Sequence, residues 1–317
     1  MEAGDMKRWL SLIPEVTIIG DVEPIFVDGG HEAMSAPEVW QKVAQEIVSK
    51  REEYDGFVVL TSFDTLAYSA SALSYMLGRF GKPVIFAGSF IPEDAIEKEM
   101  RRKFAAFLEK NKTFTMKSTL INAVQSATMD IGEVGVMFGN VLLRATRAQI
   151  ERFSKIDFDE DNTNFLGKVD FSFRLSQSRV KRSDAFQKPM VEKFEARIAS
   201  VHVHPGENGL ENVNSSLVKG LFVQCPFVGF LHSFLRGEGA VLGKLPVPVI
   251  VYNKGALLKK EDESMKNITV LGDGFYEPLF VKFMWVLSQT SDFQHIKKIM
   301  RTEYAGEFGG SHIRDKI

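Results

Sequence analysis

Residues 57–77, FVVLTSFDTLAYSASALSYML, change character twice. Phe57 to Leu60 is a continuous apolar run, the mark of a strand buried on both faces. Thr61 to Thr65 form a short polar loop interrupted by Phe63. From Leu66 the pattern is helical and rich in small residues, and it runs to Gly81 and Pro83, where a helix stops. PVIFAG at 83–88 is a second buried-strand run. Strand, helix and strand in this order make a β-α-β unit. Its right-handed crossover places TSFDT and the following SFIPED loop at the carboxyl ends of neighbouring parallel strands. Ligands of open α/β sheets bind at that edge. A phenyl ring in such a loop offers a ligand no polar atom.

The pattern extends to both sides. PEVWQKVAQEIVSKREEY carries a helical stripe of Val39, Val43, Ile47 and Val48, with Ser35 as its expected cap. Ile96, Met100, Phe104 and Leu108 recur every four residues and predict a charged helix over 94–111. GEVGVMFGNVLLRATR reads as two strands joined by a Gly139-Asn140 turn. From Glu151 to about Ala196 the chain is polar and aperiodic, the composition of a linker. ARIASVHVHPG, KGLFVQC, PVPVIVYN and ITVLGDG then alternate with shorter helical patterns, and PLFVKFMWVLSQ and FQHIKKIM close the chain as helices. The expectation is an α/β protein of two domains, residues 1–175 and a smaller 197–317, joined by a linker at 176–196.

Composition bounds the function. The chain has 317 residues, 44% of them hydrophobic, and a formal net charge of -2, so no global field favours DNA or an anionic membrane. Lone Cys225 excludes an intramolecular disulfide and suits a reducing compartment. No apolar run approaches the roughly 18 residues of a spanning helix, and MEAGDMKRWLSLIPE has neither a signal-peptide nor a transit-peptide layout. An intracellular, cytoplasmic location is the default, with an organelle as the alternative should a targeting segment precede this sequence.

Taken together, the segments resemble the bacterial-type L-asparaginases, which hydrolyse the side-chain amide of asparagine on two α/β domains. DGFVVLTSFDTLAYSASALSYMLGRFGKPVIFAGSFIP is similar to the family's D-G-F-V-V-x-H-G-T-D-T-L, helix, G-K-P-V and G-S-Q-I-P succession. VGVMFGNVLLRATRAQI resembles its hairpin ending in L-L-R-G-N-R-A-T-K. GDGFYEPLFVKFMWVLSQTSDFQHIKKIMRTEYAGEF resembles its last helices and L-R-G-E close. The resemblance runs with gaps from about Asp21 to Phe308. It implies a larger N-terminal domain on a mostly parallel, doubly wound sheet, a smaller C-terminal α/β domain, and a first strand missing from this chain. Met1 to Glu15 already reads as the helix that follows that strand. VTIIG at 16–20 or a partner are the alternatives for filling the gap, since each buried backbone group left unpaired costs about 1 to 3 kcal/mol.

Amide hydrolysis through an acyl-enzyme needs a hydroxyl nucleophile, a proton relay and oxyanion donors. The resemblance puts one nucleophilic threonine in the missing segment and the other at Phe63, with Thr61 and Ser62 in place of His and Gly. Asp64 and Thr65 match the family's Asp and Thr, and Ser89 matches the serine of G-S-Q-I-P. The relay lysine falls on Ile150, the substrate-anchoring serine on Gly29, and the asparagine of the second domain's loop on Phe230. Loss of one oxyanion donor alone costs about 100- to 1,000-fold in rate. The chain therefore reads as a degenerate family member, an inactive pseudoenzyme with a structural or binding role in a larger assembly or homo-oligomer, and no cofactor is expected. Two alternatives remain: an active asparaginase using Ser62 as nucleophile, and a regulatory amino-acid binder in which Asp64 holds the ammonium group.

The plainer readings of these residues are structural. Asp64 precedes a helix, where a carboxylate caps free N–H groups. His202 and His204 share a strand face as two metal ligands would, but no third ligand is in register. The basic stretches at 101–112 and RVKR at 179–182 read as solvated faces rather than phosphate sites.

Overall fold

The computed structural model describes residues 10–11, 13–27, 36–62, 65–89, 116–148, 162–170, 172–186, 193–204, 210, 213–226, 231–254 and 265–309. The chain divides into two compact units, Met1–Met190 and Val191–Ile317.

In the first unit, helices α1 (Pro14–Ile19) and α2 (Pro37–Ser49) both open on proline, whose fixed φ suits a first helical position. The cap of α2 is Ala36 and makes no side-chain bond; Ser35 lies outside the described residues. Val39, Trp40, Val43, Ala44 and Ile47 form the buried face of α2. Strand β1 (Phe57–Ser62) leads to α3 (Leu66–Leu77) and β2 (Val84–Ser89). Helix α3 stops at Leu77, not at Gly81, because Gly78 already adopts φ +54°. Trp40 Nε1 donates to Ser69 Oγ at 3.1 Å, tying α2 to α3.

The chain continues through α4 (Met116–Ala127), β3 (Val134–Phe138), β4 (Val141–Arg144), β5 (Phe165–Val169) and β6 (Phe173–Leu175). The sheet order is β1-β2-β3-β4-β5-β6. Its first two pairings are parallel and its last three antiparallel, so the sheet is mixed where a mostly parallel one was expected. The cause is local: a two-residue turn with Gly139 at φ +58° joins β3 to β4 and can connect only antiparallel strands. VTIIG is not a strand, since Val16–Ile19 belong to α1. Among the described residues β1 is therefore an edge strand.

Two strands, β5 and β6, lie inside the stretch that reads as a linker. The residues after them are also bound to the first unit. Gly132 N–H donates to Val180 O at 2.8 Å and Ser183 N–H to Gly81 O at 3.0 Å. The approach at Gly132 is close enough that a Cβ there would lie 2.3 Å from Lys181 O. Arg182 donates to the carbonyls of Met129, Asp55 and Ala127 at 2.6 to 2.7 Å. Arg51 reaches those of Phe80, Ser183 and Asp184. Residues 176–184 are thus a strap across this unit.

The second unit contains β7 (Ile198–His202), β8 (Gly220–Gln224), α5 (Leu231–Arg236), β9 (Val249–Tyr252), β10 (Ile268–Leu271), α6 (Tyr276–Leu287) and α7 (Phe293–Arg301). Its strands pair in the order β10-β9-β8-β7, all parallel. One face packs Leu221, Val223, Cys225, Val249 and Val251 against Leu231 and Leu235 of α5. On the other, the Phe222 ring meets Phe280 and Phe283 of α6 at 5.5 and 6.2 Å. Asp292 caps α7 by accepting from His295 N–H at 2.7 Å.

Candidate functional site

The parallel pairing of β1 with β2 aligns their carboxyl ends: Thr61 stands opposite Gly88 and Ser62 opposite Ser89. Ser62 is exposed and Thr61 half-buried. Thr65 is the N-cap residue of α3, and its hydroxyl lies 3.4 Å from both Thr61 Oγ1 and Ser62 O. Four of the singled-out residues, Thr61, Ser62, Thr65 and Ser89, therefore meet at one sheet edge. Gly29, Phe63, Asp64, Ile150 and Phe230 lie outside the described residues. So do the predicted 94–111 helix and the basic cluster at 101–112. All four residues at the described edge are serine or threonine. Their hydroxyls can donate and accept hydrogen bonds, but a hydroxyl becomes a nucleophile only beside a base.

The arginines of the hairpin that resembles L-L-R-G-N-R are committed to structure. Arg144, buried at the end of β4, is held by Glu133 through Nε and Nη2 at 2.7 and 3.1 Å and donates to the carbonyls of Thr163 and Ser178. Arg147, also buried, donates to Thr163 Oγ1 and Asn164 Oδ1. The RVKR stretch is equally occupied. Arg179 pairs with Asp130 at 2.9 Å, and the Asp130 carboxyl is held below its ordinary value by the Arg182 backbone N–H and by Arg179.

In the second unit the rings of His202 and His204 stack at 4.6 Å. Among the described residues no three His, Cys, Asp or Glu side chains converge as a metal site would require. Sequence reasoning missed Asn253. It follows β9 at the carboxyl edge of the parallel sheet, is only 2% exposed, and has neither amide atom hydrogen-bonded. The available signal was a single amide ending the apolar run PVPVIVYN.

The family model described as "Asparaginase, N-terminal" matches residues 4–108. A subunit of the glutamyl-tRNA(Gln) amidotransferase of Metallosphaera sedula is 26% identical over 96% of this chain and 71% of its own length. Over residues 4–108 the chain is similar to the asparaginase family. L-asparaginase 1 of Escherichia coli K12 is 34% identical over 46% of the chain and 39% of its own length. The thermostable L-asparaginase from Thermococcus kodakarensis superimposes with a TM-score of 0.65 at 22% identity, covering 87% of this chain and 82% of its own, a likeness of fold. Among the described residues no helix is long and apolar enough to cross a membrane.

Proposed function

We propose that this protein is an asparaginase-family pseudoenzyme that keeps the amidohydrolase fold for a structural or binding role in a larger assembly. One observation carries the reading. The loop after β1 runs Ser62-Phe63-Asp64, so the position that the resemblance gives to a nucleophilic threonine is a phenylalanine. Ile150, Gly29 and Phe230 extend the loss to the relay and the substrate anchors, and the hydroxyls of Thr61, Ser62, Thr65 and Ser89 do not replace a base. The assembly role is supported by relatives that are themselves named as a subunit of an amidotransferase. In this reading the protein acts inside the cell, where the lone Cys225 suits a reducing compartment.

The test is ammonia release from millimolar asparagine by the purified chain, followed beside an Asp64→Ala variant. Background rates in both are expected. Turnover by the parent that disappears in Asp64→Ala ends the pseudoenzyme reading.

A second reading keeps an amidohydrolase with Ser62 as nucleophile. It is favoured by one feature, the exposure of Ser62 at the carboxyl edge of β1. Ser62→Ala discriminates, since it abolishes turnover only if that reading holds. Retained binding of an amino acid at Asp64, the regulatory alternative, would appear as calorimetric heat with asparagine or aspartate that Asp64→Ala removes.

A further inference from the structure

Two imidazoles stand side by side at the end of β7. The strand is Ile198–His202, and its ladder runs one residue further, since Val203 N–H donates to Gln224 O at 2.9 Å. Side chains alternate across a strand. Val203 is buried in the apolar cluster that α5 closes, and Ala199 and Val201 pack on the same cluster, so His202 and His204 project from the other face. That face is the one α6 covers, because the Ser200 hydroxyl lies 2.9 Å from the hydroxyl of Tyr276, the first residue of that helix. The cover ends there. His202 and His204 are both exposed.

Their rings stack with centres 4.6 Å apart and planes 14° from parallel. Among the described residues no hydrogen bond or ion pair engages either ring. Two stacked imidazoles carry their nitrogen lone pairs at neighbouring ring edges, where one ion can meet both. An ion bound at about 2.0 to 2.1 Å from each nitrogen needs the two nitrogens about 3 Å apart. The torsion that turns a histidine ring is broad, so both rings reach that spacing at little cost.

The ligand type selects the ion. Imidazole suits zinc, copper and nickel, whereas magnesium and calcium take oxygen ligands. Two protein ligands are fewer than the three or four that hold a permanent catalytic or structural metal. Water therefore completes the shell, and the ion exchanges with solvent. The strand supplies the chelate: once one imidazole has bound, the other is held beside the ion at high effective concentration.

We infer that His202 and His204 form an exchangeable site for a late divalent transition ion, of the class Zn²⁺, Ni²⁺ or Cu²⁺. The site belongs to the second unit, whereas Thr61, Ser62, Thr65 and Ser89 belong to the first. It requires neither turnover nor its absence, so it goes beyond the pseudoenzyme reading.

The test uses the full chain, without an affinity tag and stripped of metal with EDTA. Zn²⁺ is titrated by calorimetry, and the histidine ring protons are followed by NMR. A single Zn²⁺ per chain is expected, with the ring signals of His202 and His204 moving together and that of His295, exposed on α7, staying in place. Cu²⁺ binds more tightly than Ni²⁺ or Zn²⁺, and Mg²⁺ gives no shift. His202→Ala or His204→Ala each weakens Zn²⁺ binding by about a hundredfold through loss of the chelate. His295→Ala leaves it unchanged. His204→Gln, at the same exposed position, stands in should an alanine variant not fold. Uptake as tight in the double variant His202→Ala with His204→Ala as in the parent overturns the proposal, because the ion is then an adventitious ion only. Movement of one ring without the other overturns it too, and so does the absence of heat and shift at millimolar Zn²⁺. The ammonia assay, run in EDTA, is untouched by all of these outcomes, so the metal site and the pseudoenzyme reading fail separately.

Discussion

Lys282 Nζ lies 2.5 Å from Glu307 Oε1 in the second unit, and neither side chain reaches solvent. The ammonium also donates to the carbonyls of Met300 and Thr302 and sits 4.8 Å from the Phe308 ring centre. Glu307 in turn accepts from the N–H groups of Tyr304 and Ala305. Burial pushes the Lys282 ammonium below its ordinary value, and Glu307 opposes that shift. Removing one member strands the other charge. Glu307→Gln is expected to cost about 3 to 5 kcal/mol in urea unfolding, while Lys282→Met with Glu307→Leu costs clearly less than the single change.

If the chain is inactive because groups are missing at several positions, one reversion does not restore turnover. Phe63→Thr restores a hydroxyl but neither the relay lysine nor the anchors. Ammonia release from asparagine by this variant, and by Phe63→Thr with Ile150→Lys, is expected to stay at background. Turnover from Phe63→Thr alone would locate the whole deficit at one residue.

The Tyr54 phenol is pushed up to about 12 by its hydrogen bond to Glu23. A folded value raised above the ordinary 10 means that this contact contributes below pH 10 and is lost as pH rises through about 12. The difference in ultraviolet phenolate titration between the parent and Glu23→Gln isolates Tyr54 from the other tyrosines. The variant's curve is expected to gain one phenolate nearer pH 10. Superimposable curves would show that Glu23 does not hold Tyr54 in solution.

Arg182→Ala leaves the carbonyls of Ala127, Met129 and Asp55 without their donor. A cost of about 1 to 3 kcal/mol is expected, with faster proteolytic cutting within 176–184 than elsewhere. Unchanged cutting there would mean that Gly81 and Gly132 hold the strap without it.

Much of the fold is legible in the sequence, for physical reasons that particular residues show. The β1-α3-β2 unit announces itself because continuous apolar runs and glycine stops are local signals, and Gly139-Asn140 fixes the hairpin for the same reason. Strands β5 and β6 are not legible. Phe165–Val169 contains Gly167 and Lys168, it pairs antiparallel with a register shift at Leu142/Leu143, and β6 is only three residues long, too short to show a period. The strap fails for a different reason. Its bonds are backbone carbonyls reached by arginine tips from far along the chain, which leave no period in the sequence. At the candidate site the hydroxyls of Thr61, Ser62 and Thr65 are visible as a polar break in an apolar run. Asn253 is not, because an unpaired buried amide and an ordinary strand-end asparagine look alike until the fold closes over one of them.

Cys225 is the sole thiol of the chain, and it lies 3% exposed in the core of the second unit. A thiol reagent can therefore react only when that unit opens, so labelling kinetics serve as a stopwatch on one half of the molecule. Glu307→Gln should quicken the stopwatch and Arg182→Ala should leave it running at the parent's pace. Each destabilisation is thereby assigned to its own unit without cutting the chain.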